Sequence, residues 1–384
     1  MLSVIIGVWA GTFLMAFYMG VTDDRITNAI ETEISHIQIH HTEFKKEYDI
    51  KYDIPRGSEI LQKISGNKNV KSAAGRIVTF GMISAPAGSS GIKLNGIMPS
   101  AENNTTKLNS KITKGEYFNE KTPNSIIISE KLTEKLKVKL KSKVVITFED
   151  SQSNIITGAF RIIGLYKTYN TPYDEMNIFV SIEDINTLLE SKDGINEIAV
   201  LLHDNKSMDI VKNELKNEYS DLQIENWTEI SPELNLILTT VQQYMDILMA
   251  IIMLALAFGV INIMLMTVLE RKNELGMLMA IGMSKSRVFV MILFETIILV
   301  FTGCPPGSLL SYLTISYFGD KGINLSVFSD AYSSFGFSSM AYPKLEFEYY
   351  IRIALFVMTM AIISSVFPAR KALKLRPAET IRKQ

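Results

Sequence analysis

Four long apolar runs constrain this chain more than any other feature of its sequence. They occupy residues 2–21, 247–269, 288–318 and 351–367. Each run is long enough to cross a hydrocarbon core of about 30 Å as a helix. A charge-rich segment of ordinary globular composition separates the first two runs. The sequence therefore predicts an α-helical membrane protein with four transmembrane helices and a folded domain inserted between helices 1 and 2.

The first run could also be a secretory signal peptide. It begins directly at Met1, however, and it is followed by Asp23 and Asp24 rather than by a small-residue cleavage site. A signal peptide would carry a basic leader and a shorter apolar core. A retained transmembrane helix is therefore the prediction, and whether a short cytoplasmic segment precedes Met1 stays open.

Lysine and arginine residues near the ends of the runs predict the orientation, because cytoplasmic loops carry an excess of positive charge. Four of them flank the link between the second and third runs: Arg271, Lys272, Lys285 and Arg287. Six more follow the fourth run: Arg370, Lys371, Lys374, Arg376, Arg382 and Lys383. Both segments are therefore predicted to be cytoplasmic, in an inner (cytoplasmic) membrane, with the large domain outside.

The predicted parts follow in chain order. They are a transmembrane helix (1–21), a periplasmic or extracytoplasmic α+β domain (22–231), a long helix that includes transmembrane helix 2 (232–269), a cytoplasmic helix (270–287), transmembrane helix 3 (288–318), an extracytoplasmic loop (319–349), transmembrane helix 4 (350–368) and a cytoplasmic tail (369–384). In the α+β domain, segments such as SHIQIHH, NSIIIS and NIFVSI alternate like strands. Residues 130–136, 183–190 and 207–218 have a helical pattern, so we expect a mixed domain built on short sheets.

The sequence contains no motif that assigns a catalytic function. His36 and His40 share one face of a predicted strand, but no carboxylate or cysteine stands at ligand spacing beside them, so we expect exposed polar positions and no metal. G-x-S-x-G, H-E-x-x-H and C-x-x-C do not occur, and the single cysteine, Cys304, has no internal disulfide partner. A net charge of -1 gives no reason to expect nucleic acid. We predict a non-catalytic membrane subunit.

The link at residues 270–287 is unusual because its middle is apolar around nearly the whole helix circumference. Charged residues precede this middle, and Lys285 and Arg287 follow it, which suits the helix dipole. A helix that is apolar all round is normally buried. Since this one is predicted outside the membrane, we expect it to dock in a cleft of another protein. The alternative is an interfacial helix on the lipid headgroups.

The segment ERKNELGMLMAIGMSKSRV, followed by FVMILFETIILVFTG, closely resembles the signature of the FtsX-like permeases, a family of ABC transporter membrane subunits that includes the MacB and lipoprotein-releasing LolC-LolE types. The tail FPARKALKLRPAETIRKQ and the domain segment GIKLNGIMPSAE resemble the same family. The resemblance implies a coupling helix that docks on an ATPase. The candidate docking residues are Glu270, Arg271, Glu274, Leu275, Gly276, Leu278, Met279, Ala280, Ile281 and Gly282. Many family members carry a basic residue where Leu278 or Met279 stands here, so docking is expected to rest on packing.

The resemblance also implies the function and the partners. No G-x-x-x-x-G-K-[ST] occurs in the sequence, so ATP and Mg are expected on a separate ABC ATPase subunit, with no cofactor in this chain. The expected function is mechanotransmission from that ATPase to the outer domain, and the process expected first is lipoprotein release. The alternatives are MacB-like efflux of drugs or peptides and non-transport signalling to cell-wall hydrolases. Expected partners are a second permease copy or paralogue in a dimer, the lipid membrane, and a periplasmic adaptor or lipoprotein chaperone.

Two features inside the third run are further candidates. Glu295 is an intramembrane acid that could pair with Arg271 or Arg370, as a structural ion pair or as a conformational relay. Gly303, Pro305, Pro306 and Gly307 predict a helix kink, because proline removes a backbone donor. The alternative at Gly303 and Gly307 is close approach of another helix through a G-x-x-x-G face.

Overall fold

The computed structural model describes residues 1–119, 122–191 and 194–373. The chain folds as two compact units. One, the sheet unit, contains Asp24–Leu236 and Ser326–Ser339. The other, the helical unit, contains Met1–Asp23, Ile237–Leu325 and the chain from Met340 onward. Of the predicted cytoplasmic tail, residues 374–384 lie outside the described residues, including Lys374, Arg376, Arg382 and Lys383.

Helices and strands alternate through the first part of the chain, and long helices dominate the rest. In chain order, the helices are α1 (Leu2–Ala29), α2 (Phe44–Glu47), α3 (Gly57–Ser65), α4 (Pro99–Thr106), α5 (Glu130–Leu136), α6 (Thr171–Met176), α7 (Ile182–Leu188), α8 (Met208–Glu218), α9 (Trp227–Ile230), α10 (Pro232–Glu270), α11 (Lys272–Ala280), α12 (Lys285–Lys321), α13 (Ser329–Ser334) and α14 (Phe347–Leu373). The strands are β1 (Ile37–His41), β2 (Val70–Ala85), β3 (Gly88–Ile97), β4 (Ile112–Gly115), β5 (Ser125–Ser129), β6 (Lys143–Glu149), β7 (Ile155–Tyr166), β8 (Asn177–Ser181), β9 (Glu197–Leu202), β10 (Leu222–Asn226), β11 (Ile323–Asn324) and β12 (Met340–Ala341).

In the described residues, the strands of the sheet unit form one connected sheet rather than several short ones. The order is β10-β1-β9-β2-β3-β8-β5-β7-β4, and β6 pairs with both β2 and β7. The long strand β2 makes this possible. Its first part pairs with β9, and its second part pairs with β3 and β6. The mixed α and β architecture predicted from the sequence is confirmed, but the prediction of separate short sheets is wrong because one strand of 16 residues joins them.

Aliphatic side chains at alternate strand positions fill the core of the sheet unit. Ile126 and Ile128 of β5, Ile146 of β6, and Ile178 and Val180 of β8 are buried there. Successive strand residues point to opposite faces, so an i, i+2 pattern in the sequence becomes one packed layer. This packing explains why the alternating segments indicated strands.

A buried charge network, formed by Arg76, Glu102, Glu197 and His40, lies outside this aliphatic core, because the strand neighbours Ile77, Ile198 and Ile39 point into the core from the opposite face. Arg76 donates from Nε and Nη2 to the two carboxylate oxygens of Glu102, at 2.9 and 2.7 Å. Its Nη1 donates to Glu197 at 2.7 Å, and His40 Nε2 lies 3.2 Å from the other Glu197 oxygen. Burial alone raises the pKa of Glu197, but the hydrogen bond with His40 and the Arg76 charge outweigh it and hold that pKa below its usual range.

The two histidines predicted as exposed polar positions are both buried. His40 belongs to the buried charge network, and His36 Nδ1 accepts a hydrogen bond from the backbone N–H of Leu202 at 3.1 Å. Burial lowers the pKa of His36 to about 4. The prediction of exposure is wrong because both faces of β1 are covered, so that consecutive residues of the strand are buried, and Phe44 stacks on the His40 ring at a centroid distance of 5.2 Å. In the described residues, no group of three or more His, Cys, Asp or Glu side chains is placed to hold a metal ion.

The helical unit is built on α1, α10, α12 and α14, the described helices that are long and apolar enough to cross a membrane. Their ends reach past the apolar runs that predicted them. Helix α1 continues to Ala29 and then through a π-helical turn at Ile30–Ile34, although charges begin at Asp23. A charge ends the stretch that is compatible with lipid, but it does not end a helix, so span boundaries and helix boundaries differ.

Small and β-branched side chains form the core of the helical unit. Val260 of α10, Val288 of α12 and Val357 of α14 are fully buried, with Val4 and Val8 of α1. Many large apolar side chains face outward instead: Phe258, Phe294, Ile298, Phe301, Leu309, Leu355 and Phe356. An outward apolar surface of this extent on long helices is what a lipid environment covers.

The segment between α12 and α14 contains a two-stranded sheet of β11 and β12 and the short helix α13. Residues Ser326–Ser339 belong to the sheet unit. This segment contacts Arg25, whose Nε donates to the backbone carbonyl of Phe335 at 3.1 Å. The Nη1 of the same arginine lies 3.1 Å from Glu33 Oε1. The predicted loop at residues 319–349 is therefore partly ordered by a buried arginine far away in sequence.

Candidate functional site

The candidate site is the segment between α10 and α12, which contains the short helix α11. Helix α10 ends at Glu270, and α11 begins two residues later at Lys272. Backbone hydrogen bonds continue through the junction, from Arg271 N–H to Thr267 O at 3.1 Å and from Leu275 N–H to Arg271 O at 3.0 Å. The break between the two helices is therefore confined to Arg271, and no loop separates them.

The other end of α11 is closed by a Schellman motif. The N–H of Met283 donates to Leu278 O at 3.0 Å, and the N–H of Gly282 donates to Met279 O at 3.2 Å. Gly282 has φ +106°, a conformation that glycine adopts without strain. A Cβ added there would meet nothing within 4 Å, so backbone conformation alone requires the glycine. Helix α11 is thus a fixed structural element rather than a loop.

Arg271 joins the start of α11 to α12. Its Nε lies 2.9 Å from Glu274 Oε2, and its Nη1 lies 2.9 Å from Glu295 Oε1. Arg271, one of the two partners considered for Glu295 from the sequence, is therefore the residue beside it. All three side chains are more than one third exposed, so we expect a contribution of about 1 kcal/mol or less from each pair.

The apolar side chains of α11 divide into an inner and an outer face. Leu275 is buried in the core of the helical unit, and Met279 and Met283 pack against the same core. Met277 is 53% exposed and Ile281 is 79% exposed, on the opposite side. The prediction that an apolar face covers the whole circumference and awaits a partner is therefore corrected. The chain itself covers the inner face, and only the outer face is open.

The candidate docking residues divide in the same way. Leu275 and Gly276 are buried, Arg271, Leu278 and Met279 are half-buried, and Glu270, Glu274, Ala280, Ile281 and Gly282 are exposed. Met277 is exposed but was absent from the candidates. The helical period gives the signal that finds it, because positions 275, 279 and 283 share one face whereas 277 and 281 share the other. We call Met277, Ala280 and Ile281 the outer face of α11.

The predicted kink residues lie in the middle of α12, which is one helix from Lys285 to Lys321 with both prolines inside it. Pro305 and Pro306 are exposed, while Gly303 and Gly307 are buried. A Cβ on Gly303 would lie 2.9 Å from a Val4 side-chain carbon, and one on Gly307 would lie 2.9 Å from the Ile5 carbonyl oxygen. The two glycines therefore let α12 approach α1 closely within the same chain, as the G-x-x-x-G alternative expected. The kink at Pro305 and Pro306 stays a prediction.

A chain that combines four long helices with outward apolar surfaces and a separate sheet-based unit has the organisation of a multi-pass membrane protein. Residues 247–377 match the family described as FtsX-like permease C-terminal, and residues 1–218 match the MacB-like periplasmic core domain. The chain therefore belongs to the FtsX-like ABC transporter permeases that carry a MacB-like periplasmic core domain. The family predicted by the segment at residues 270–288 is confirmed.

The relatives include several kinds of ABC transporter permease. An uncharacterized ABC transporter permease of Methanocaldococcus jannaschii is 24% identical over 58% of this chain and 55% of its own length. The lipoprotein-releasing system transmembrane protein LolC of Xylella fastidiosa is 21% identical over 75% of this chain and 72% of its own length. The macrolide export ATP-binding/permease protein MacB of Campylobacter jejuni is 26% identical over 62% of this chain and 37% of its own length.

Two solved domain structures are similar to part of the chain, at low identity. The extracellular domain of the transporter YknZ from Gram-positive bacteria has 17% identity and a TM-score of 0.36, covering 50% of this chain and 99% of that domain. The periplasmic region of MacB from Actinobacillus actinomycetemcomitans has 14% identity and a TM-score of 0.38, covering 55% of this chain and 97% of that region.

Proposed function

We propose that this chain is the non-catalytic permease subunit of an ABC transporter, and that a separate ATPase docks on the outer face of α11. The observation that carries the proposal is a rigid helix with an unpartnered apolar face. Leu275 and the Arg271 pairs hold the inner side, so Met277 and Ile281 are presented outward in a fixed orientation. Pre-organised apolar side chains are efficient docking contacts, since little entropy is lost on binding. In this proposal ATP and Mg²⁺ bind the ATPase.

Charge placement supports a cytoplasmic position for α11. Arg271 and Lys272 stand at its start, and Lys285 and Arg287 stand at the beginning of α12. With α1, α10, α12 and α14 as the spans, the sheet unit would lie on the outer side, as an extracytoplasmic domain inserted between the first two spans. A cytoplasmic-membrane location, with this domain in the periplasm or its equivalent, follows from the same assignment.

The length of α10 supports mechanical transmission. This helix has 39 residues, which at 1.5 Å each gives about 58 Å, compared with about 30 Å for a hydrocarbon core. One rigid element is therefore long enough to cross the membrane and continue well beyond it. We propose that closure of the ATPase moves α11, and that α10 carries this movement toward the outer domain. A second permease copy or paralogue would complete a dimer.

For the substrate we propose release of lipoproteins from the membrane, with a lipoprotein chaperone as the outer partner. The similarity to LolC supports this choice, because it extends over 75% of this chain and 72% of that relative. The match of residues 1–218 to the MacB-like periplasmic core domain favours a second candidate, efflux of drugs or peptides with a periplasmic adaptor. Depleting the chain in cells separates the two. Lipoprotein release predicts that lipoproteins accumulate in the inner membrane, whereas efflux predicts greater drug sensitivity with normal lipoprotein location.

The docking proposal is tested by Ile281→Asp and Met277→Asp in the full chain co-expressed with its ATPase. We expect both variants to reach the membrane and to lose co-purification of the ATPase by at least about tenfold, since each places a charge in an apolar contact. Ile155→Asp is the matched control, because Ile155 is an equally exposed isoleucine in the sheet unit at 74%. Leu278→Asp and Gly282→Pro should also abolish docking. Undiminished ATPase binding by the two outer-face variants would contradict the proposal.

The orientation of the chain in the membrane can be tested by cysteine labelling, because Cys304 is the only cysteine of the chain. In a Cys304→Ala background, cysteine is introduced at Ile155 or at Ile281, both highly exposed. A membrane-impermeant maleimide should label the first in intact spheroplasts and the second only after permeabilisation. The reverse pattern would overturn the assignment of sides.

A further inference from the structure

One groove of the helical unit combines apolar walls with two opposite charges. It lies between α1, α10 and α14, has a volume of about 520 Å³, and is lined by Met15, Asp246, Met249, Met253, Arg352 and Phe356, among others. That volume lies within the range of about 300–1,000 Å³ typical of small-molecule pockets. The groove is separate from α11 and from the docking surface proposed above.

The acidic residue of the groove, Asp246, carries a charge at the edge of an apolar run. It stands directly before the apolar run of α10. Within the part of the chain that the structure describes, no basic side chain forms an ion pair with Asp246. A carboxylate near a membrane is costly unless a partner or water compensates its charge. Arg352 lines the same groove but is not paired with Asp246.

Arg352 has N–H donors that remain available for a ligand. Its Nη2 lies 3.5 Å from Glu348 Oε1, and its guanidinium lies over the Tyr349 ring at 5.3 Å. A guanidinium has five N–H donors in a fork that suits phosphate oxygens, so one long contact leaves most of them available. The groove therefore offers one anionic and one cationic contact, which remain separate from each other.

The polarity of the groove changes along its length in the way that an amphiphile requires. Asp246 directly precedes the apolar run of α10, and Tyr349 and Arg352 lie in the first two turns of α14, whereas Met253 and Phe356 lie one to two turns further along. Tyrosines favour the level of the lipid headgroups. The charged end therefore lies near the membrane surface, and the apolar end lies deeper.

We propose that this groove binds a glycerophospholipid with a zwitterionic headgroup. The phosphate contacts Arg352, the headgroup ammonium contacts Asp246, and part of one acyl chain lies along Met253 and Phe356 while the rest stays in the bilayer. Asp246 disfavours a purely anionic headgroup, which could use only Arg352. The proposal does not depend on the transported substrate or on ATPase docking.

The test uses the full chain, delipidated in detergent and titrated with phosphatidylethanolamine or phosphatidylglycerol, with bound lipids and chain copies counted by native mass spectrometry. We expect phosphatidylethanolamine to bind more tightly than phosphatidylglycerol. Asp246→Asn should weaken phosphatidylethanolamine about tenfold without weakening phosphatidylglycerol, because it removes one charge-assisted contact. Arg352→Gln should weaken both lipids. Asp320→Asn is the matched control, since Asp320 is an exposed acid of α12 outside the groove.

Ala250→Trp gives a second measurement, because Ala250 lines the groove and a large ring there would fill it. We expect loss of phosphatidylethanolamine binding with unchanged thermal stability of the helical unit. Equal binding of the two lipids together with no effect of Asp246→Asn would overturn the proposal. So would loss of a second chain copy, rather than of lipid, in both charge variants, because the groove would then be an interface between chains.

Discussion

Two arginine clusters of this chain, one in each unit, differ in how far they are buried. In the sheet unit, Arg76 is buried with Glu102 and Glu197, and every partner is fixed by short hydrogen bonds. In the helical unit, Arg271 holds Glu274 and Glu295 while all three side chains remain partly exposed. Burial decides how much folding stability is lost when such a pair is broken, because a buried charge that loses its partner cannot be compensated by water. The sheet unit should therefore depend on its arginine, whereas the helical unit should depend on how closely its helices pack.

The chain has two tryptophans, Trp9 in the helical unit and Trp227 in the sheet unit. Unfolding of each unit can thus be followed separately by fluorescence, in a Trp9→Phe or a Trp227→Phe background. Variants of the two units can then be compared by the same kind of measurement.

Arg76→Met should destabilise the sheet unit by about 3–5 kcal/mol, because it leaves Glu102 and Glu197 buried without their cation. The measurement is denaturant unfolding followed at Trp227. Arg161→Met is the matched control, since Arg161 is an exposed arginine of β7, and it should change stability by about 0.5 kcal/mol or less. Equal changes in unfolding free energy for the two variants would show that the buried arginine contributes no more stability than the exposed one.

Gly20→Ala should destabilise the helical unit by about 1–3 kcal/mol. A Cβ at Gly20 would lie 2.0 Å from the backbone carbonyl oxygen of Tyr342, so the backbone must move. Gly11→Ala on the same helix is the control. There the nearest atom would be an Ile252 side-chain carbon at 3.7 Å, so alanine should be neutral or stabilising by about 0.5–1 kcal/mol. Unfolding followed at Trp9 distinguishes the pair, and a neutral Gly20→Ala would refute close packing at this point.

Two buried groups of the sheet unit should respond to acid with opposite sign. The ordinary pKa of His36 is 6.5 and its folded pKa is about 4, so acidification between these values protonates the unfolded chain first and favours unfolding. Burial raises the pKa of Asp174 from 3.8 to about 6, so acidification protonates the folded chain first and favours folding. Each effect should reach about 1–2 kcal/mol between about pH 7 and about pH 5.

The variants His36→Gln and Asp174→Asn test these signs. Relative to the parent chain, His36→Gln should lose less stability on acidification, and Asp174→Asn should lose more. Unfolding free energies followed at Trp227 across the pH series give both slopes. Identical slopes in the parent and both variants would mean that neither group controls acid stability.

Glu295→Gln should have the smallest effect on folding, about 1 kcal/mol or less, because its pair with Arg271 is partly exposed. Glu274→Gln is the control, since it alters the other pair of the same arginine. ATPase activity of the assembled complex then separates the two roles of Glu295. Normal assembly with uncoupled hydrolysis for Glu295→Gln alone would indicate a relay, whereas loss of assembly would indicate a structural pair.

Local patterns predicted much of the sheet unit. Strand β5, with the sequence SIIIS, and helix α5, over Glu130–Leu136, lie where the sequence placed them. Both follow from short-range rules, since a short run of β-branched residues indicates a strand that is buried on both faces, and Ser129 caps the helix by accepting from Leu132 N–H at 3.0 Å. Strand β4 was missed because it is only four residues long. Strand β10 was missed although its sequence, LQIEN, alternates between apolar and polar residues.

Long-range partners were not predictable in the same way. Arg76 and Glu197 are 121 positions apart, so no local rule joins them. The available signal was that each charged residue adjoins an apolar strand segment, in RIVTF and NEIAV, and that their charges are opposite. In the candidate site, the residue pattern predicted an apolar helix, but only the packing of Leu275 divided it into a covered and an open face.

The length of α10 also sets a rule for how such a helix can change during evolution. Each inserted residue rotates everything beyond it by about 100° and advances it by about 1.5 Å. Leu238 near its start and Val268 near its end are both buried, so the phase between these positions matters. Insertions or deletions of about 7, 11 or 18 residues restore that phase, since these lengths are close to two, three and five whole turns of 3.6 residues. Homologous helices should therefore differ in length by about 7, 11 or 18 residues rather than by arbitrary numbers.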